Sequence, residues 1–293
     1  MSSSPGFLSS VDDFYLTSHG LAVTETTNGI FDKTLWAKVN TSTVLSWMRA
    51  DVANMLARNT PTWARHFARE NSGTYNNQWM VLDTNRLEAR AKATDPLLPG
   101  SFLVLEQIPG LVESADMTAH LNAERYWASY NIAYFPRIYN ASGFGRQRPP
   151  WLFSHAKSPR ALIFAQVQQT VSNFTALQAA LRWNDWQNNP GPPPFRNPCY
   201  GVCARCDLNK PKSLNFDIEG GIDSKVSTAM RARSRFSFSA QNGPTRSHGL
   251  PAFDWARVGR AALPPPYRRV PLHDGSPSKW AFDWVEFSNS SKP

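Results

Sequence analysis

A chain of 293 residues and 32.9 kDa is long enough to bury a sizeable core, as one large domain or two. Its 41% apolar and 18% charged content excludes an intrinsically disordered protein. No apolar run approaches the ~20 residues of a membrane span, and residues 1–14 show neither the basic nor the apolar region of a signal peptide.

Taken in chain order, residues 14–16 and 21–26 predict two strands turned at His19 and Gly20. Between 44 and 57, Leu45, Met48, Val52, Met55 and Leu56 recur at helical spacing. Thr60 followed by Pro61 marks the start of a second helix, with Trp63 and Phe67 on one face. The block at 71–83, NSGTYNNQWMVLD, joins amides to aromatics and ends in a strand at 79–82; a second strand is expected at 102–105. A helix follows over about 116–126. Ser158 and Pro159 open another, and Phe174, Leu177 and Leu181 again repeat at helical spacing. From 188 to 198 the chain is a proline-rich connector, and 263–271 is a second. Strands, helices and then strands again predict a layered α+β fold.

The chemistry written into these elements is sparse. There is no G-x-S-x-G elbow, no HExxH, no G-x-G-x-x-G and no phosphate loop, and the six histidines are scattered. Asn76, Asn77, Gln78 and Asn131 lie beside buried strands, where an unmatched amide costs on the order of 1–3 kcal/mol. They therefore read as one wired polar network, and on composition alone a structural role is the stronger reading. Cys199, Cys203 and Cys206 have C-x3-C-x2-C spacing, but a metal site would lack its fourth ligand.

The formal charge is +9, with arginine concentrated at 231, 233, 235, 257, 260, 268 and 269. Such a surface attracts anionic lipid or nucleic acid. No nucleic-acid-binding signature accompanies it, so the plain reading is a solvated basic face, with a peripheral lipid-surface binder as the rarer alternative. Glycosylation sequons stand at Asn40, Asn140, Asn173 and Asn289.

Several blocks together resemble the phospholipase B-like (lamina-ancestor) family of N-terminal-nucleophile hydrolases. They are DDFYL from residue 12, LAVTETT from 21, the 71–83 block, LEQIPG from 105, YWASYN from 126, PRALIF from 159 and RWNDWQNNP from 182. CDLN from 206, GGIDSKV from 220, NGPT from 242 and PAFDW from 251 continue the series in the family's order, so the match covers residues 12–280.

The resemblance implies a four-layer αββα sandwich, with residues 1–293 forming a partial domain that lacks its N-terminal strands. It implies a hydrolase of acyl ester or amide bonds acting on a lipid or an N-acyl small molecule, without cofactor or metal. Neither nucleic acid nor a transmembrane segment enters the picture, and the location would be secreted or lysosomal. The family's nucleophile is a cysteine exposed by self-cleavage, whose own α-amino group serves as base. By the match it would precede Met1, so the expectation is a fragment that is inactive without its N-terminal portion.

Thr27 matches the active-site threonine, Asn131 the oxyanion-stabilising asparagine and Arg160 the site arginine. The alternatives are a strand threonine, a turn asparagine and a solvated arginine. Asn76, Asn77 and Trp79 would form the scaffold of the pocket. The resemblance also implies a short-range disulfide, most simply Cys199 with Cys203. A non-catalytic secreted glycoprotein or binding module on the same scaffold is the rival reading.

Overall fold

The computed structural model describes residues 12–90, 92, 94–189, 195–210, 213, 216–218, 220–221, 223–258 and 277–288. The chain divides into two compact units, Met1–Ser158 with Ser227–Ser237 and Ser288–Pro293, and Pro159–Val226 with Phe238–Phe287. Both are mixed units with antiparallel sheets. No described helix is long and apolar enough to cross a membrane.

The first unit is built on an antiparallel meander. Its strands are β1 (Phe14–Leu16), β2 (Leu21–Thr27), β3 (Asn77–Asp83), β4 (Phe102–Ile108) and β5 (Leu111–Asp116), in that spatial order. Gly20, at φ +79°, makes the turn between β1 and β2 where a side chain would be strained. Strand alternation sends Val23, Trp79, Val81, Leu103 and Leu105 to one face. There they pack with Tyr15 and with helices α1 (Ser46–Leu56) and α2 (Thr60–Ala68). Trp63 stacks on Phe67, with ring centroids 4.9 Å apart, and both rings meet Trp79. Asn59 caps α2 by accepting from the Thr62 amide.

α1 turns its alanines, not its large apolar residues, to this core. Ala50 and Ala53 are buried with Arg49, whereas Leu45, Met48, Val52, Met55 and Leu56 are exposed. Arg49 donates to the carbonyls of Val44 and Phe67 and to Ser46, Asn71 and Gln107, and lies 4.4 Å over the Phe67 ring. Burial lowers its pKa to about 10.

Helix α3 (Thr84–Glu88) follows β3, with Asp83 accepting from the Asn85 and Arg86 amides. The helix expected at 116–126 is shorter. Asp116 ends β5, and its carboxylate accepts from Thr118 N to start α4 (Thr118–Glu124). Helix α5 (Pro136–Ser142) adjoins β4 and β5.

The second unit contains α6 (Pro159–Val167), α7 (Phe174–Leu181), a sheet ordered β10 (Val285–Phe287), β7 (Phe238–Asn242), β6 (Asp223–Val226), and the pair β8 (Phe253–Asp254) and β9 (Lys279–Trp280). Helix α8 (Ala229–Arg235), between β6 and β7 in sequence, belongs to the first unit. The proline-rich stretch at 263–271 lies outside the described residues, as do residues 190–194 of the first such stretch.

Candidate active site at the end of β2

The last residue of β2 is Thr27, opposite Asn77 of β3. Alternation places Glu25 and Thr27 on one face and Thr26 on the other. Thr27 Oγ1 donates to Tyr75 Oη at 3.0 Å, and Tyr75 Oη donates to Glu25 Oε1 at 3.2 Å. A hydroxyl relay thus ends on a buried carboxylate. Burial is the main cause of the raised Tyr75 pKa, which keeps the phenol a donor.

Asn131 closes this edge. Its Nδ2 donates to the Thr27 carbonyl at 2.9 Å, and its backbone sits at φ +60°, a conformation asparagine adopts more readily than most residues. Thr27 and Asn131 are both exposed, so the edge is open to solvent.

What holds Asn131 there is its own segment, pinned to the sheet at both ends. Trp127 Nε1 donates to Gln78 Oε1 at 3.1 Å, and the Ser129 and Thr26 hydroxyls are bonded. At the other end, Glu106 of β4 accepts from the backbone amides of Tyr134 and Phe135 at 2.7 and 2.9 Å. Glu106 also accepts from Gln78 Nε2 at 2.7 Å and from Asn28 Nδ2 at 3.2 Å. This fully buried carboxylate therefore ties the exit of β2 to the segment carrying Asn131. Burial raises its pKa, against the four donors that lower it.

Beside it, His155 is ringed by Trp127, Tyr130 and Tyr134. Burial, helped by nearby His120, pushes its pKa down to about 4.

The expected polar network is split in two. Gln78 joins Glu106 on one face, while Asn131 bonds the Thr27 backbone. Asn76 donates to Gly73 O and its carbonyl accepts from Asn28 N, which shapes the turn before β3. The Asn77 amide is fully buried without a hydrogen-bond partner among the described residues. Trp79 belongs to the aromatic core under α2. Arg160 is the second residue of α6, in the second unit, where its charge acts on the Cys203 thiol.

The disulfide expectation is corrected. Cys199 pairs with Cys206, whose Cα atoms lie 4.3 Å apart, and Cys203 is the free, buried thiol. The chain makes two short turns, Pro198–Tyr200 and Cys206–Leu208, which bring the outer cysteines together. Cys203 faces the other way and donates to Gly221 O at 3.4 Å. Burial raises its pKa. Of the sequons, Asn40, Asn140 in α5 and Asn173 are exposed, and Asn289 lies outside the described residues. No group of three or more His, Cys, Asp or Glu side chains among the described residues is placed to hold a metal.

The profile of the Phospholipase B family matches residues 1–287. The chain belongs to this family. Phospholipase B-like protein G of Dictyostelium discoideum is 38% identical to it, over 97% of this chain and 47% of that protein. Phospholipase B of Crotalus adamanteus is 37% identical over 97% of this chain and 48% of its own length. Phospholipase B-like 1 of Homo sapiens is 39% identical with the same two coverages. The chain spans about half the length of the curated relatives it matches.

Within this phospholipase B-like chain, three residues that wire the candidate site escaped sequence reasoning: Tyr75, Glu25 and Glu106. Glu106 had a signal, a carboxylate inside the otherwise apolar run FLVLEQI. Tyr75 and Glu25 had none beyond lying in blocks already singled out.

Proposed function

We propose that this chain is part of a phospholipase B-like hydrolase of acyl ester or amide bonds, with the exposed end of β2 as its catalytic edge. The observation that carries this reading is the hydrogen bond between Asn131 and Thr27, 104 positions apart in sequence and both assigned to the site by resemblance. In this scheme a cysteine at a new N-terminus attacks the acyl carbonyl, with its own α-amino group as base. The Asn131 amide stabilises the oxyanion without changing its protonation. Fixing one of its N–H bonds on Thr27 sets the direction of the other. Thr27, polarised through Tyr75 and Glu25, orients the amine or the substrate. Arg160 is the proposed partner for an anionic substrate group or thiolate.

The sheet covered by α1 and α2 fits half of an αββα sandwich, and the exposed sequons Asn40, Asn140 and Asn173 support a secreted or lysosomal setting.

None of this chain's cysteines suits the nucleophile's role. Two are bonded to each other, and Cys203 is buried with a raised pKa. The same observation favours the second reading, a binding module on this scaffold. The 293-residue chain is therefore expected to show no turnover of phosphatidylcholine or N-acyl amides alone. Turnover is expected when the chain is combined with the remaining portion of a full-length relative, and Asn131→Ala should abolish it. Turnover by the chain alone that survives cysteine alkylation would overturn the mechanism. Substrate binding with no turnover in the combined form would select the binding module.

A further inference from the structure

Helix α8 packs against α3 in the first unit, and Arg233 pairs there with Glu88. Thr228 caps α8 by accepting from Arg231 N, and Ala232 is its buried anchor. Ala229 and Arg231 are half-buried, and Met230, Arg233, Ser234 and Arg235 are exposed. Met230 is 68% exposed, Phe236 is 36% exposed, and Arg233 and Arg235 stand between them. Phe236 holds φ +46° at the helix C-cap, a position that favours glycine, so this bulky ring is carried outward at a conformational cost.

The charge around these apolar groups is one-sided. The two helices carry Arg86, Arg231, Arg233 and Arg235 against a single acid, Glu88, which pairs with Arg233. Asp83, just before α3, caps that helix and lies 3.7 Å from Arg86. Arg235 is exposed and has no carboxylate partner among the described residues.

We infer that the α3–α8 face is a docking surface for an anionic lipid bilayer. Met230 and Phe236 would enter the headgroup boundary, while the arginines spread on the negative surface. Exposed apolar side chains set among basic ones on a short helix are the composition of an interfacial contact. Arginine beside anionic headgroups adds attraction that salt screens. Nucleic acid would use the same charge but gains little from Met230, which decides between the two. Adsorption requires no catalysis, so this inference goes beyond the hydrolase reading, and either can fail without the other.

The test is flotation of the full chain with phosphatidylcholine vesicles, with and without phosphatidylserine. Binding is expected only to the anionic vesicles and should fall as salt rises. Arg235→Glu changes two charges and should weaken partitioning roughly 30-fold, from about 1 kcal/mol per charge at the surface. Met230→Ser should weaken it several-fold at unchanged salt dependence. The control is Arg69→Glu, an exposed arginine following α2 close to Asn71, whose side chain bonds Ile108 O at the end of the sheet opposite α3. It should change partitioning little. All three positions are exposed, and thermal unfolding checks that each variant is folded. No binding to anionic vesicles, or equal loss from Arg69→Glu and Arg235→Glu, would overturn the proposal. So would insensitivity to Met230→Ser combined with Arg235-dependent binding of duplex DNA.

Discussion

The two faces of the five-stranded sheet solve the burial problem in opposite ways. Under α1 and α2 the sheet presents Val23, Trp79, Val81, Leu103 and Leu105 to an aromatic core, with the buried charged groups Arg49 and Glu25 bordering it. On the other face a buried glutamate gathers two side-chain amides and two backbone amides. Glu106 and Gln107 are neighbours in sequence and both fully buried, yet one serves each face, since Gln107 accepts from Arg49. The apolar face is held by area and packing. The polar face is held by direction, because a carboxylate with four fixed donors defines where the chain carrying Asn131 must run. Packing thus dominates one side of the sheet, where the Thr27–Tyr75–Glu25 relay sits at its edge, and fixed hydrogen bonds to a carboxylate dominate the other.

The largest expected effect lies on the apolar face. Trp63→Ala removes a fully buried ring that stacks on Phe67 and touches Trp79, and should cost about 3–5 kcal/mol in urea unfolding. A cost well below that range would mean that α2 is not the anchor of this core.

On the polar face, lowering the pH should destabilise the fold through His155. Its folded pKa is about 4 against an ordinary 6.5. The unfolded chain therefore takes up the proton first as pH falls. The stabilisation is complete above pH 6.5 and is lost between 6.5 and about 4, amounting to at most ~3 kcal/mol. Measured unfolding free energies of His155→Phe should lose that component of the pH dependence; an unchanged profile would show that other groups carry it.

Glu106→Gln should cost about 1.5–3 kcal/mol, the worth of hydrogen bonds to a charged group, because an amide NH2 must then meet a donor. The sharper readout is positional. Amide exchange or side-chain NMR of Asn131 should show the segment loosened, whereas Trp63→Ala at equal destabilisation should leave it in place. Identical responses would erase the distinction between the two faces.

The smallest effect is expected outside both faces. Met55→Ser alters a side chain that is 73% exposed and should shift stability by less than about 0.5 kcal/mol. A larger loss would mean that the outer side of α1 is covered in solution.

Much of this could be read in advance. The β1–β2 hairpin, the start of α2 and the helices at Pro159 and Phe174 follow from local patterns of turn residues, caps and spacing, whereas the family is carried by the resemblance of the motif blocks. β5 was not legible. It is an edge strand with mixed exposure, LVESAD, so it carries no clean alternation. In the candidate site, Thr27 and Asn131 are singled out by the resemblance. Their hydrogen bond, the Tyr75–Glu25 relay and the hub at Glu106 depend on pairings across the sheet that no local window contains.

What the sequence determined by itself is the kind of element wherever caps, prolines or periodicity are clear, because these signals act within a few residues. It did not determine which way each element faces. α1 shows this most plainly: its apolar spacing marks a helix, and such a stripe ordinarily turns inward. The fold instead buries the alanines, which let the helix approach closely, and Arg49, which finds acceptors on α2, β4 and the loop at Asn71. The choice of Cys206 over Cys203 as the partner of Cys199 has the same origin. Local signals choose the kind of element, but only the assembled neighbours can satisfy a buried donor or bring two sulfurs together.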